Sequence, residues 1–218
     1  MDEARLREEI CRVGASLFAR GYVHATAGNI SARLDDGFLI TPTDACLGFL
    51  DPARLAKVDA SGAPLAGDRP SKTLALHRRI YEGDAAAGCV IHTHSTHLVA
   101  LTLAGAWSAG DLLPPLTPYY VMKVGHVPLI AYHRPGDARV GDRVAEAIAR
   151  HAALGSPIRA VMLDRLGPNV WHETPASAMA VLEELEETAK VWLACGRRAE
   201  PLDEARIDEL RRAFGARW

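Results

Sequence analysis

Val90-Ile91-His92-Thr93-His94-Ser95-Thr96-His97 is a short apolar run that ends in three histidines. On a strand, residues two apart point to the same face, so a strand here presents the imidazoles of His92 and His94 side by side. Two neutral imidazoles held in this way are half of a transition-metal site. The chain has 9 His in 218 residues, so a six-residue window holds about 0.25 of one by composition alone. Placement adds more than count. Cys89-Val90-Ile91 reads as a buried strand, and polar residues just past such a strand sit at a sheet's carboxyl edge, where open α/β sheets bind ligands.

The rest of the chain supports a globular fold around that strand. Hydrophobic residues make up 49% and charged residues 24% of the sequence, the balance of an ordinary soluble protein. A net charge of -2 gives no electrostatic case for nucleic acid or an acidic membrane surface. Met1-Asp2-Glu3-Ala4-Arg5 lacks the basic-then-apolar order of a signal peptide, and no apolar stretch is long enough to span a bilayer. Cys11, Cys46, Cys89 and Cys195 are scattered without a Cys-x-x-Cys pair, which fits reduced thiols in a cytoplasmic protein.

Taken in order, the periodicity predicts an amphipathic helix over Leu6–Arg20, a hairpin turning at Asp36-Gly37, and a second hairpin turning at Ser61-Gly62. A helix is expected from Ser71 to Ile80, then the histidine strand, then a helix from Thr96 to Ala104. Val127–Ile130 and Arg159–Leu163 read as strands, with a helix from Ala138 to about His151 between them. Gly167-Pro168 reads as a turn before Val170-Trp171. A long helix follows from Thr174 or Pro175 to Cys195, with Glu183, Glu184, Glu186 and Glu187 on its outer side, and a short one covers Asp203–Phe214. Helices that alternate with strands and hairpins predict a mixed sheet covered on both faces, in a single domain over 1–218.

Several polar groups carry possible chemistry. Gly28 lets backbone N–H groups approach an anion and Asn29 adds a neutral donor. Thr41-Pro42-Thr43 offers two hydroxyls where a strand breaks. Ser71 at a helix start, with Lys72 beside it, combines N–H groups, a helix dipole and a point charge, so the set has the inventory of a phosphate pocket. His77 falls on an apolar helix face and reads as a hydrogen-bonded core histidine. His24, His133 and His151 read as surface or loop residues. His126 and His172, near strand ends, remain possible ligands. Tyr119 and Tyr120 follow a rigid proline loop and serve either a site or a subunit interface.

The order of these motifs resembles the class II aldolase/adducin family over nearly the whole chain: Gly28-Asn29, Thr41-Pro42-Thr43, Pro70-Ser71-Lys72, the His92-x-His94 strand and Thr117-Pro118-Tyr119. Cys46-Leu47-Gly48, His94-Ser95-Thr96, Tyr132-His133-Arg134-Pro135-Gly136-Asp137 and the segment Leu182–Lys190 are most similar to its 3-oxo-tetronate 4-phosphate decarboxylase branch. The resemblance implies a three-layer α/β/α domain with a central mixed, largely antiparallel sheet. It implies a homotetramer with active sites between subunits, and a divalent metal, commonly zinc, on ligands that include His92 and His94. Gly28, Asn29, Thr43, Ser71 and Lys72 fall where the family binds substrate phosphate, and Tyr119 near the tyrosine that a neighbouring subunit contributes as proton donor.

The chain departs from the family pattern at three positions. Asp44 replaces a glycine, Thr73 replaces the acid/base glutamate, and Leu166 stands where a third metal histidine is expected. A rebuilt site would have to recruit its missing ligand from His97, His126, His172 or Asp44. The resemblance therefore implies a metal-dependent carbon–carbon lyase, a decarboxylase of a 3-oxo sugar acid phosphate. An aldolase on a phosphorylated ketose and a non-catalytic oligomerisation module are the alternatives.

Overall fold

The computed structural model of the chain describes residues 2–108 and 110–218. Its elements run α1 (Glu3–Ala19), β1 (Asn29–Leu34), β2 (Gly37–Ile40), β3 (Ala56–Asp59), β4 (Pro64–Ala66), α2 (Leu74–Gly83), β5 (Cys89–His92), α3 (Thr96–Ala104), β6 (Leu129–Ile130), α4 (Arg139–Ala153), β7 (Ala160–Leu163), β8 (Gly167–His172), α5 (Pro175–Ala194) and α6 (Glu204–Phe214). The strands form one sheet in the order β4-β3-β2-β1-β5-β8-β7-β6. Only β6 and β7 pair in parallel; the other neighbours are antiparallel.

β5 lies in the middle of this sheet, between β1 and β8, and all four of its residues are buried. Period-two alternation explains why: successive side chains feed opposite cores. Ile91 joins Ile10, Leu17, Leu98 and Leu182, contributed by α1, α3 and α5. Val90 joins Ile80, Val144 and Trp171 on the face covered by α2 and α4. The result is a three-layer α/β/α architecture around a mixed, largely antiparallel sheet, as expected.

Three of the boundaries that differ from the sequence expectation bear on the site. α2 begins at Leu74, not Ser71. The Ser71 N–H donates to the Thr41 carbonyl, and Pro42 bridges Pro70, so residues before Leu74 are tied to the end of β2 instead of to a helix. The expected Val127–Ile130 strand shrinks to Leu129–Ile130, since the Val127 N–H donates to Asp111 Oδ1 and Pro128 has no N–H. Gly167-Pro168 is not a turn but the start of β8; the turn is residues 164–166, with Arg165 at φ +60°.

His77 is a core histidine. It is fully buried on α2, its Nδ1 2.7 Å from Ser31 Oγ, which also lies 2.8 Å from Tyr81 Oη. Burial, with a smaller contribution from nearby His92, pushes its pKa down to about 3. The unfolded chain therefore takes up a proton near the ordinary histidine value while the folded chain does not, and stability is lost as pH falls below that value. Between pH 7 and pH 5 this one group costs about 2 kcal/mol. Urea midpoints at the two pH values test it: His77→Asn should lose about 2 kcal/mol less than the parent over that interval.

Candidate active site

A cavity of roughly 790 Å³ opens where β1, β5 and the turn between β7 and β8 end together. Gly28, Asn29, Thr43, Ser71, Lys72, His92 and His94 all line it, so seven of the eight residues that the resemblance assigns to the site converge on one space. Tyr119 does not line it. Its side chain stands 63% exposed, just before a π-turn over Tyr120–Val124.

His92 is the last residue of β5, opposite Asn29 on β1 and Asn169 on β8. Its Nδ1 lies 2.8 Å from the Pro168 carbonyl, a bond only an N–H can make, so the proton sits on Nδ1 and Nε2 keeps its lone pair. Burial pushes the His92 pKa down to about 4, so the ring is neutral at neutral pH. His94 is also pushed down, first by burial and then by the like charge of His24. The two rings stand edge-on with centroids 5.1 Å apart. Their proximity does not come from strand alternation, because the ladder stops at His92. Instead, Thr93 Oγ1 and Ser95 Oγ bond at 2.7 Å, and Gly167 packs directly against the Thr93 carbonyl.

The helix that follows is fixed from a distance. Glu186, buried on α5, accepts the backbone N–H groups of His97 and Leu98 and the Nδ1–H of His97. The carboxylate is thus a remote N-cap for α3, satisfying two orphan donors and offsetting the dipole. This corrects the expectation that Glu186 lies on the outer side of its helix: it is 3% exposed. Nothing in the local sequence marked it, since its partners are 88 and 89 residues away.

A second set of polar groups in the lining has the composition of an anion cradle. Thr43 Oγ1 donates to the Pro70 carbonyl, and Ser71 Oγ and Thr73 Oγ1 bond each other at 2.9 Å. Two hydroxyls sharing one bond keep one O–H to donate outward. Lys72 is exposed at the cavity and makes no ion pair within 4 Å among the described residues. Asn29 is buried, and its Oδ1 has no protein partner. Asp44 lines the cavity at φ +58°, a left-handed conformation that suits glycine better; its solvent exposure spares the carboxylate a desolvation cost.

Of the four groups named as substitutes for the third ligand, the structure removes three from the cavity. His97 is bound to Glu186, His126 pairs with Asp111 2.9 Å away and stacks on Trp218, and His172 lies beside Cys89 at the far end of β5. Asp44 remains, and Asp164 joins it in the lining. Leu166 lines the cavity and packs on the α2/α4 core. His151, expected on the surface, is buried near His126. His24 is exposed as expected, yet its ring lies 6.3 Å from that of His94. Asn169, which nothing in the sequence singles out, is fully buried, and neither end of its amide has a protein partner.

The paired imidazoles, one with its free nitrogen already defined, fit two corners of a metal site. Among the described residues, no three His, Cys, Asp or Glu side chains converge as they stand. No described helix is long and apolar enough to cross a membrane.

The profile of the Class II Aldolase and Adducin N-terminal domain matches residues 8–193. A 3-oxo-tetronate 4-phosphate decarboxylase from Cupriavidus necator is 59% identical over 99% of both chains. The crystal structure of YgbL from Escherichia coli superposes with a TM-score of 0.87 at 43% identity, over 96% of this chain and 99% of that one. That of an L-fuculose-1-phosphate aldolase from Thermus thermophilus gives 0.72 at 29% identity, over 92% and 100%.

Proposed function

The chain belongs to the class II aldolase and adducin family, and from that membership we propose that it is a decarboxylase of a 3-oxo sugar acid phosphate. The observation that carries the proposal is the lining of one cavity, which holds both an anion cradle and two neutral imidazoles. It is supported by 59% identity, end to end, to a protein named for that reaction.

A 3-oxo acid of this kind has its phosphate at one end and its carboxylate at the other, with the ketone between. The phosphate seats against Lys72, the outward hydroxyl of the Ser71–Thr73 pair and the Asn29 amide, with the N-terminus of α2 favouring the negative charge. The remaining length of the molecule then lies toward His92 and His94. When the bond to the carboxylate breaks, carbon dioxide leaves and the electron pair passes into the ketone, giving an enediolate. A proton delivered to carbon completes the reaction.

A divalent metal is general to this family, and His92 and His94 are the residues we assign to hold it, with zinc the ion that imidazole nitrogens suit. Bound there, it supplies Lewis-acid stabilisation of the enediolate charge, worth several kcal/mol. Proton delivery needs a group at the cavity mouth, and we assign it to Tyr119 of a second copy in a homotetramer. Its exposure and its position outside its own chain's cavity support that assignment. Thr73 has no carboxyl group for acid–base work. Decarboxylation leaves no aldehyde fragment to activate and so depends on such a group less than aldol cleavage does.

Purified protein incubated with 3-oxo-tetronate 4-phosphate should release carbon dioxide and a three-carbon ketone phosphate. Release of an aldehyde from a ketose phosphate, without carbon dioxide from the acid, would establish the aldolase instead. Lys72→Ala should raise KM about 10- to 100-fold with a smaller change in kcat, because a charged hydrogen bond to phosphate acts before and during reaction alike.

A further inference from the structure

One imidazole beside the cavity is unclaimed by any of these roles. His24 is exposed in the segment between α1 and β1, and its ring meets that of His94 edge-on at 71° with centroids 6.3 Å apart. Its backbone is fixed in place: the Ala27 N–H donates to the His24 carbonyl at 2.9 Å, and Ala25 between them is held at φ +47°. A non-glycine residue in that conformation is uncommon and persists where surrounding structure imposes it, often at functional sites.

Metal geometry sets the spacing to look for. A zinc–nitrogen bond of about 2.0–2.1 Å, extended to the ring centre and opened at the tetrahedral angle, separates two bound imidazole centres by about 5 Å. His92 and His94, at 5.1 Å, already have that separation. His24 lies about 1 Å beyond that separation from His94, and to bind it must turn its solvent-exposed side chain inward toward both rings by a rotamer change.

We infer that His24 is the third protein ligand of the site, completing with His92 and His94 a three-imidazole centre in this chain. This rests on the metal assignment above and replaces Leu166, which has no donor atom. What singles out His24 is its ring contact with His94. His97 and His126 are committed to Glu186 and Asp111, while His133, its Nδ1 2.8 Å from the Ala131 carbonyl, lines the cavity with Asp44 and Asp164, and these three are the competitors that the test must exclude. A centre built this way draws one ligand from a surface loop, so it closes only when that loop side chain turns inward.

The full-length protein, stripped with a chelator and titrated with Co²⁺, provides the test. The parent should bind one Co²⁺ per chain with the visible absorption of a tetrahedral site. His24→Ala should weaken binding at least about tenfold and change that absorption, with the circular dichroism unaltered. Leu166→His placed in the His24→Ala chain should restore binding, since Leu166 lines the same cavity. If His24→Ala titrates like the parent, or if His133→Ala, Asp44→Ala or Asp164→Ala is the variant that loses affinity, the inference is overturned while the metal assignment stands. If the parent binds no Co²⁺, both fall.

Discussion

Replacing His92 and His94 together by alanine should abolish divalent-metal binding and lower kcat/KM for the 3-oxo acid by at least about a thousandfold. The magnitude follows from the chemistry. Breaking the carbon–carbon bond puts a full negative charge on the ketone oxygen, and the metal assigned to His92 and His94 is the group that stabilises it. Among the charged side chains of the lining, Lys72 is assigned to the phosphate, Arg79 is paired with Glu82 and Asp142, and Asp44 and Asp164 have the wrong sign, which leaves Arg134 as the remaining cation. Losing several kcal/mol of charge stabilisation in the transition state is a loss of three or more powers of ten in rate. The fold should survive the change. His92 makes one side-chain bond, to the Pro168 carbonyl, and its removal costs about 1 kcal/mol against a β5 held by two ladders. Elemental analysis of freshly purified protein and carbon dioxide release, read side by side, check both halves. A double variant that retains metal or retains turnover would show that the imidazole pair is not the centre of the reaction.

How much of this was legible before the structure depends on sequence distance. β5 announced itself because a run buried on both faces needs no partner to be recognised, and its polar end had to emerge at a sheet edge. The cradle was legible for a similar reason: Gly28-Asn29, Thr43 and Ser71-Lys72 each break a regular element, and breaks at strand ends face the same edge. His94 stands beside His92, but strand alternation does not put it there. Strand alternation ends at His92, and the second ring is held by the Thr93–Ser95 hydroxyl pair and by the turn carrying Gly167. Glu186 was hidden among four acidic residues of one helix, because its neighbours on α3 are specified only by tertiary packing. His24 was passed over as a loop histidine for the same cause: nothing local says that the segment before β1 folds back beside His94. Asn169 gave no signal, being a single amide inside an apolar strand.

Gly167→Ala should be the most damaging single methyl in the molecule's active site. Gly167 opens β8 at φ +142°, and a Cβ there would lie 1.9 Å from the Thr93 carbonyl oxygen and 3.3 Å from the Cα of His94. Neither neighbour is a flexible side-chain end that can swing aside; both belong to the backbone that carries the imidazole pair. The turn and the histidine segment must separate, stretching the Thr93 N–H bond to the Pro168 carbonyl, already 3.4 Å, and drawing that carbonyl away from His92 Nδ1. The expected cost is about 3 kcal/mol or more in stability. Metal affinity should fall with it, because His92 loses the partner that fixes its tautomer. Gly136→Ala supplies the comparison. Gly136 also lines the cavity and also has a positive φ, +82°, but an added Cβ there meets nothing within 4 Å. Only the conformational penalty applies, about 1 kcal/mol. Urea denaturation of the two variants separates backbone preference from backbone collision. Equal losses would mean that the Thr93–Gly167 contact does not hold the histidines, and the metal affinity of Gly167→Ala would then match that of the parent.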